Sequence, residues 1–370
     1  DGTIGPLKVQ GSRGALPVDL SFSAANVLHG KVQGMFNEQG MASDFAIGVS
    51  PFSPREFFAA CDLPFPLATN DLQVFTKFDM EMMVQGGKEK IAIEKATGHL
   101  DDSTFFFNFE AKNPDSPEVG FSLELDHVDL DRYLPPAGKT PDEAVKIVED
   151  VASDRRSARE IDLTGVLKIG ELKAFGSTVT EVNIPVQGKN RVLTTSPATG
   201  VAYGGKVATY LSLDLQGNDP ALQATLASQG VAATPLLRDL FDWDKLHGTL
   251  VMEMEMQATG NTFLAMQKSV NGKAKLQVQD GALVGIDLAR PEVTFGGSNG
   301  VNPDDGTEKP PRIEFAEAKG AATIKHGIFY LEETGLSTPV NWVQLSGTVD
   351  TILRQLDVQV ESGFVATVKG

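Results

Sequence analysis

In the stretch Leu250-Val251-Met252-Glu253-Met254-Glu255-Met256, apolar and acidic side chains exchange places at nearly every step. Successive side chains of a β-strand point to opposite faces, so Leu250, Met252, Met254 and Met256 share one face and Glu253 and Glu255 the other. A helix would scatter the same residues around its axis. The stretch predicts a strand with one apolar and one wet face.

The same pattern recurs along the chain. Leu72, Val74, Phe78, Met80, Met82 and Val84 share one parity, with Gln73, Lys77, Asp79 and Glu81 on the other. Phe105, Phe107 and Phe109 repeat it, then Val119, Phe121, Leu123 and Leu125 against Ser122 and Glu124. Leu211, Leu213 and Leu215, and later Val343, Leu345 and Val349, extend it towards the C-terminus. Turn pairs such as Gly86-Gly87, Asn113-Pro114, Gly204-Gly205 and Asn271-Gly272 separate the runs. Short strands with close turns predict antiparallel meanders.

Helical signals are few. Ser53-Pro54 opens a short turn with Ser53 as N-cap and Glu56 in the capping-box position. Thr140-Pro141 starts the longest candidate, running to Arg159 with Ala144, Ile147, Val148 and Val151 at helical spacing. Thr234-Pro235 and Asn261 to Val270 begin two more, and Gly296 to Arg312 reads as an exposed loop. The fold expected is mainly β: an elongated, curved, mostly antiparallel sheet, a half-pipe groove, with a few short helices. The expected domains are a β lobe over 1–135, a helical insert over 136–160 and a second β lobe over 161–370, the two lobes alternatively forming one continuous sheet.

Composition narrows the function. The 370 residues carry 32 Lys plus Arg against 49 Asp plus Glu, a net charge of -17. So acidic a surface argues against nucleic acid and other phosphate partners. It leaves acyl chains open as ligands, because apolar area captures them. The single Cys61 forms no intramolecular disulfide, and no run reaches the ~18 apolar residues of a membrane span. Asp1 opens the chain without an initiator Met or a signal-like segment, as expected of a processed piece whose membrane anchor lies upstream.

Ordered motifs point to a family. Phe52-Ser53-Pro54-Arg55 followed by Phe57-Phe58, Gly98 to Asp102, and Leu125-Asp126-His127-Val128-Asp129-Leu130-Asp131-Arg132-Tyr133-Leu134-Pro135 occupy the first half. Gly165 to Ala174, Ala202-Tyr203-Gly204-Gly205, Leu246 to Gly248, Ser269 to Gly272, and Asp280 to Leu288 follow in the second. In order and spacing these resemble the AsmA family over roughly residues 40 to 360. The resemblance implies a periplasm-facing protein anchored in the inner membrane and similar to bridge-like lipid transfer proteins. Such proteins carry acyl chains in the apolar trough of a long sheet.

Catalytic chemistry has little to stand on. The five histidines are scattered, none pairs with another at metal-ligand spacing, and no cofactor motif is present. The cluster Asp126, His127, Asp129, Asp131, Arg132 and Tyr133 reads either as an acid–base or metal site or as a strand end where Arg132 pairs with carboxylates. The second reading is favoured, because the cluster lacks the glycine of an EF-type loop and a third imidazole. The expected function is therefore non-enzymatic: binding or transfer of phospholipid or another acyl lipid between inner and outer membrane, with no metal. The groove lining would be Met80, Met82, Phe105, Phe107, Phe109, Leu123, Leu213, Met252 and Met254. The methionines read equally as gap-filling core or as adaptable groove lining. The alternatives are an outer-membrane-protein assembly or quality-control scaffold gripping polypeptide at a sheet edge, with envelope proteins as partners, and a closed adhesive sandwich.

Overall fold

The structure, a computed structural model, describes residues 2–4, 15–37, 43–134, 161–285, 312–338, 341–350 and 355–364. The helix expected between Thr140 and Arg159, and all of the loop expected over Gly296 to Arg312 except Arg312 itself, lie outside the described residues. Among the described residues, twenty strands and four short helices form the regular structure, and hydrogen bonds join all twenty strands in one mostly antiparallel sheet. The mainly β, mostly antiparallel fold is as the alternation predicts. The chain clusters into two compact units, Asp1–Ala174 with Thr180–Ser196, and Phe175–Val179 with Pro197–Gly370.

The first unit runs through β1 (Gly2–Ile4), β2 (Ala15–Ala24), β3 (Leu28–Asn37), β4 (Ser43–Phe52), helix α1 (Pro54–Ala60), β5 (Phe78–Gly86), β6 (Lys90–Leu100), β7 (Ser103–Lys112), β8 (Glu118–Asp129), helix α2 (Leu130–Tyr133) and β9 (Asp162–Ala174). Then come β10 (Ser177–Lys189) and β11 (Val192–Thr195). Strands β8 and β9 are parallel, with Leu123 opposite Leu167 and Leu125 opposite Ile169. A parallel pair cannot be joined by a tight turn, so this pair departs from the antiparallel meander that the turn residues predict.

The alternation from Leu72 predicts a strand beginning there, but β5 begins at Phe78 and residues 72–76 form turns and a bend. Leu72 is 70% exposed, whereas Val74 is fully buried. Asp101 explains the difference. Its carboxylate accepts the backbone N–H groups of Phe75 at 2.7 Å, Thr76 at 2.8 Å and Lys77 at 3.2 Å, and the Tyr133 hydroxyl at 2.7 Å. Donors wrapped around one carboxylate cannot join a strand ladder. Phe75 moreover has φ 58°, outside the strand region. At the same end, Arg132 donates to Asp71 at 2.8 Å and to Asp102 at 3.1 Å, and Arg55 donates to the Val74 carbonyl and the Thr69 hydroxyl.

The second unit holds β12 (Ala198–Ala202), β13 (Gly205–Asp214), β14 (Ala221–Ala232), helix α3 (Ala233–Phe241), β15 (Leu246–Thr259), helix α4 (Phe263–Ser269), β16 (Asn271–Val284), β17 (Arg312–Lys325), β18 (Ile328–Ser337), β19 (Asn341–Asp350) and β20 (Gln355–Phe364). Its core is a lateral row: Val231 opposes Leu250, Leu250 opposes Val278, Val278 opposes Ala318, Ala318 opposes Leu336, and Leu336 opposes Val343. Helix α3 packs on β15 beside this row and ends where Asp242 turns left-handed at φ 54°. The Thr234 hydroxyl ties the helix start to the Leu246 carbonyl at 2.9 Å.

Burial pushes the Asp101 pKa up, but the Phe75, Thr76 and Lys77 amides and the Tyr133 hydroxyl outweigh it, so the net shift is downward. A depressed carboxyl contributes stability above its unfolded pKa of about 3.9 and loses it as pH falls through the folded value. Asp101→Ala is expected to lower unfolding free energy by about 3 kcal/mol at neutral pH. In urea titrations from pH 7 down to pH 2, the gap between the two proteins should narrow below about pH 4; a gap independent of pH would contradict the hub.

Candidate functional site

Strand pairing assembles the alternating residues into continuous apolar rows. In the first unit one row reads Phe22, Gly30, Val49, Met80, Gly98, Phe105, Leu125 and Ile169, each opposite the next. A second reads Val18, Gly34, Phe45, Val84, Ile93, Phe109, Phe121 and Gly165. Between them lie Leu20, Val32, Ile47 and Met82 on one side, and Ala96, Phe107, Leu123 and Leu167 on the other. Gly98 has a reason to be glycine: a Cβ there would strike the Asp79 carbonyl and the Phe105 ring.

Burial along these rows is uneven: Gly30, Ala96, Gly98 and Ile169 are buried. Phe105 is buried, stacked on Phe78, but Met80, Met82, Phe107, Phe109 and Leu123 remain half-buried. On the flanking row Phe36 and Ile91 are 48% and 52% exposed. Among the described residues, aromatic contacts close one end. There Phe52 meets Phe57 and Phe78 edge-on, and Phe58, Phe65, Phe75 and Tyr133 continue the aromatic contacts. Helix α1 brings Phe57 and Phe58 to this cluster. Ser53 caps it as its position before Pro54 predicts, its hydroxyl accepting the Glu56 N–H at 3.2 Å.

In the second unit Met254 opposes Leu226 and Ala274, and Met252 opposes Ser228 and Leu276. Leu213 lies further along the same face, opposite Leu222. All three expected lining residues there are half-buried. Above the core row, beneath α3, sits a cavity of about 220 Å³ lined by Leu237, Trp243, Leu250, Val278, Phe315 and Val343 among others. Lys319 borders it too, but its ammonium pairs with Glu317 at 2.7 Å. The sequence signal for this cavity is the Thr234-Pro235 helix start beside an apolar strand. Alternation alone does not announce a hole.

The opposite faces are charged. Glu253 faces Lys275 and Glu255 faces Lys273 across β15 and β16. Glu124 pairs with Lys168 at 2.8 Å and Asp129 with Lys173 at 3.1 Å. Asp79, Glu81 and His99 border a depression of about 1020 Å³ that Phe106 also lines, and His99 contacts Asp79 at 2.9 Å.

The Asp126-to-Tyr133 cluster is dispersed by the fold. His127 touches only the neighbouring Asp126 among its ion pairs, at 3.0 Å, while Asp126 accepts the Thr104 N–H at 2.8 Å. Arg132 and Tyr133 turn away to Asp71, Asp102 and Asp101. Tyr133 is held protonated far above its ordinary range by burial and by the Asp101 carboxylate. Among the described residues, no group of three or more His, Cys, Asp or Glu stands ready for a metal. The same motifs therefore act as fasteners, as Tyr203 does when it donates to Asp239 at 2.7 Å.

The fold and its paired faces define a sheet protein with an apolar face, half-open and wet on its reverse. The chain belongs to the AsmA family, which matches residues 107–334. Membership points to an envelope-related function. No curated protein and no solved structure matches the chain. Among the described residues no helix is long and apolar enough to cross a membrane.

One side chain on the apolar face is anomalous. The Ser228 hydroxyl, between Val207 and Met252, is buried without a hydrogen-bond partner. An unpaired buried hydroxyl costs free energy. Ser228→Ala should be neutral or stabilising by up to about 1 kcal/mol, while Leu250→Ala in the core row should cost about 2–4 kcal/mol. Chemical denaturation of both variants checks the contrast, and a marked loss in Ser228→Ala would reveal a hydrogen bond at that position.

Proposed function

We propose that the chain binds acyl lipid, phospholipid foremost, against the apolar faces of its sheet. The full-length protein would be periplasm-facing, anchored in the inner membrane, and would pass lipid between inner and outer membranes without catalysis. The observation that carries this reading is the incomplete burial of Met80, Met82, Phe107, Phe109 and Leu123 on the first unit's apolar rows, beside the exposed Phe36 and Ile91. Exposed apolar patches on soluble monomers seldom exceed a few hundred Å². Rows of Phe, Met, Val and Leu crossing eight strands need a cover, and acyl chains supply one with no polar group to satisfy.

The chemistry of the lining favours lipid over polypeptide. A peptide laid on these rows would bring backbone N–H and C=O groups to a face that offers no partners. An acyl chain brings only methylenes, each contributing roughly 0.8 kcal/mol when removed from water. Methionine adapts its three rotatable bonds to chains of different shape. The acidic surface, 49 acidic against 32 basic residues, gives no attraction to an anionic headgroup, so capture rests on the tail.

Met254→Asp and Phe107→Asp place a charge on each unit's apolar face at half-buried positions. Each is expected to weaken binding of a fluorescent phospholipid at least tenfold, about 1.4 kcal/mol, while the thermal midpoint moves by only a few degrees. If either variant unfolds, that face is a closed core and the lipid reading fails there.

A further inference from the structure

We propose that the cavity beneath α3 holds the methyl-terminal segment of one unbranched acyl chain, so that the second unit reads its lipid by the tail and leaves the headgroup unread. This rests on the acyl-lipid reading above and adds where the chain ends and what is selected. The cavity is lined by Leu237 and Trp243 on the helix side and by Leu250, Val278, Phe315 and Val343 from the sheet. Its one charged contributor, Lys319, has its ammonium occupied by Glu317.

Three physical points select the occupant. Water is a poor one, because apolar cavities of about 150 Å³ lined by such residues stay dry and take up benzene. At about 220 Å³ this cavity has room for more carbon than that, which suits a run of methylenes. A polypeptide segment would leave its backbone groups unsatisfied. A headgroup would bring charge or hydroxyls to a lining that offers no partner for them. A flexible hydrocarbon end is the ligand left. Gly281 allows the Phe315 ring to lie directly against the strand, where any Cβ would collide with it, so Phe315 gives the lining a packed aromatic wall.

The geometry provides its own reporter. The chain has two tryptophans, Trp243 in the cavity lining and Trp342. Trp342 neighbours Val343 on β19 and faces the other side of the sheet. In Trp342→Phe protein, Trp243 is the sole indole. Fatty acids of equal length, brominated either near the methyl end or beside the carboxylate, are titrated against it, with bound lipid counted separately by native mass spectrometry. Methyl-end bromine should quench Trp243 several-fold more strongly than carboxyl-end bromine. Ala318→Phe, which fills the cavity from the sheet, should abolish that difference while lipid remains bound by mass. If that variant does not fold, a chain-length series on the Trp342→Phe protein replaces it: short chains should bind with little quenching and longer ones should quench. Equal quenching from both bromine positions, or none while lipid is bound, would overturn the assignment and leave lipid binding standing. Loss of all bound lipid by mass would instead defeat the acyl-lipid reading on which it rests.

Discussion

A pleated strand gives every second side chain to the same face, and lateral hydrogen bonding carries that face unchanged from strand to strand. Everything else in this chain follows from that coupling. The ladder satisfies the backbone but does nothing for the apolar rows, which a single sheet cannot cover with itself. Cover is supplied locally. Helix α3 lies beside the row from Val231 to Val343, and the Phe52–Phe57–Phe78–Phe105 contacts close one end of the first unit's face. Away from such covers, Met80, Met82, Phe107, Phe109 and Leu123 in the first unit, and Met252 and Met254 in the second, stay half-buried.

The polar residues do the opposite task. Asp101 ends the apolar alternation before β5 by collecting three amides and the Tyr133 hydroxyl, and Arg132 and Arg55 hold the same loop from two other directions. Charge thus fastens one end of the sheet. The two sequence patterns containing Arg55 and Tyr133 lie far apart in the chain, yet both reach residues 69–77. Their shared destination gives a structural meaning to motifs that otherwise invite a catalytic interpretation.

Much of this was legible in the sequence because strand parity is a local property. The Leu250-to-Met256 pattern yields β15, its apolar face and its acidic reverse without knowledge of any partner. Ser53-Pro54 likewise yields α1 and its cap. What escaped is what depends on distant groups. Leu72 and Val74 continue the parity of β5, but a carboxylate 25 residues away from Thr76 bends that segment into turns. The parallel pairing of β8 with β9 has no local signature, since both strands alternate as antiparallel ones would. The cavity beneath α3 arises from the fit of Trp243, Leu237 and Phe315 drawn from three elements, and no single stretch encodes it.

The central claim is that lipid covers the apolar face, and the wild-type chain purified without detergent tests it most directly. A native mass spectrum, paired with lipid analysis of an organic extract of the same sample, should show the 39.5 kDa chain carrying additional mass that matches phospholipid in the extract. A bare chain mass under gentle ionisation, with an extract free of acyl lipid, would contradict the account.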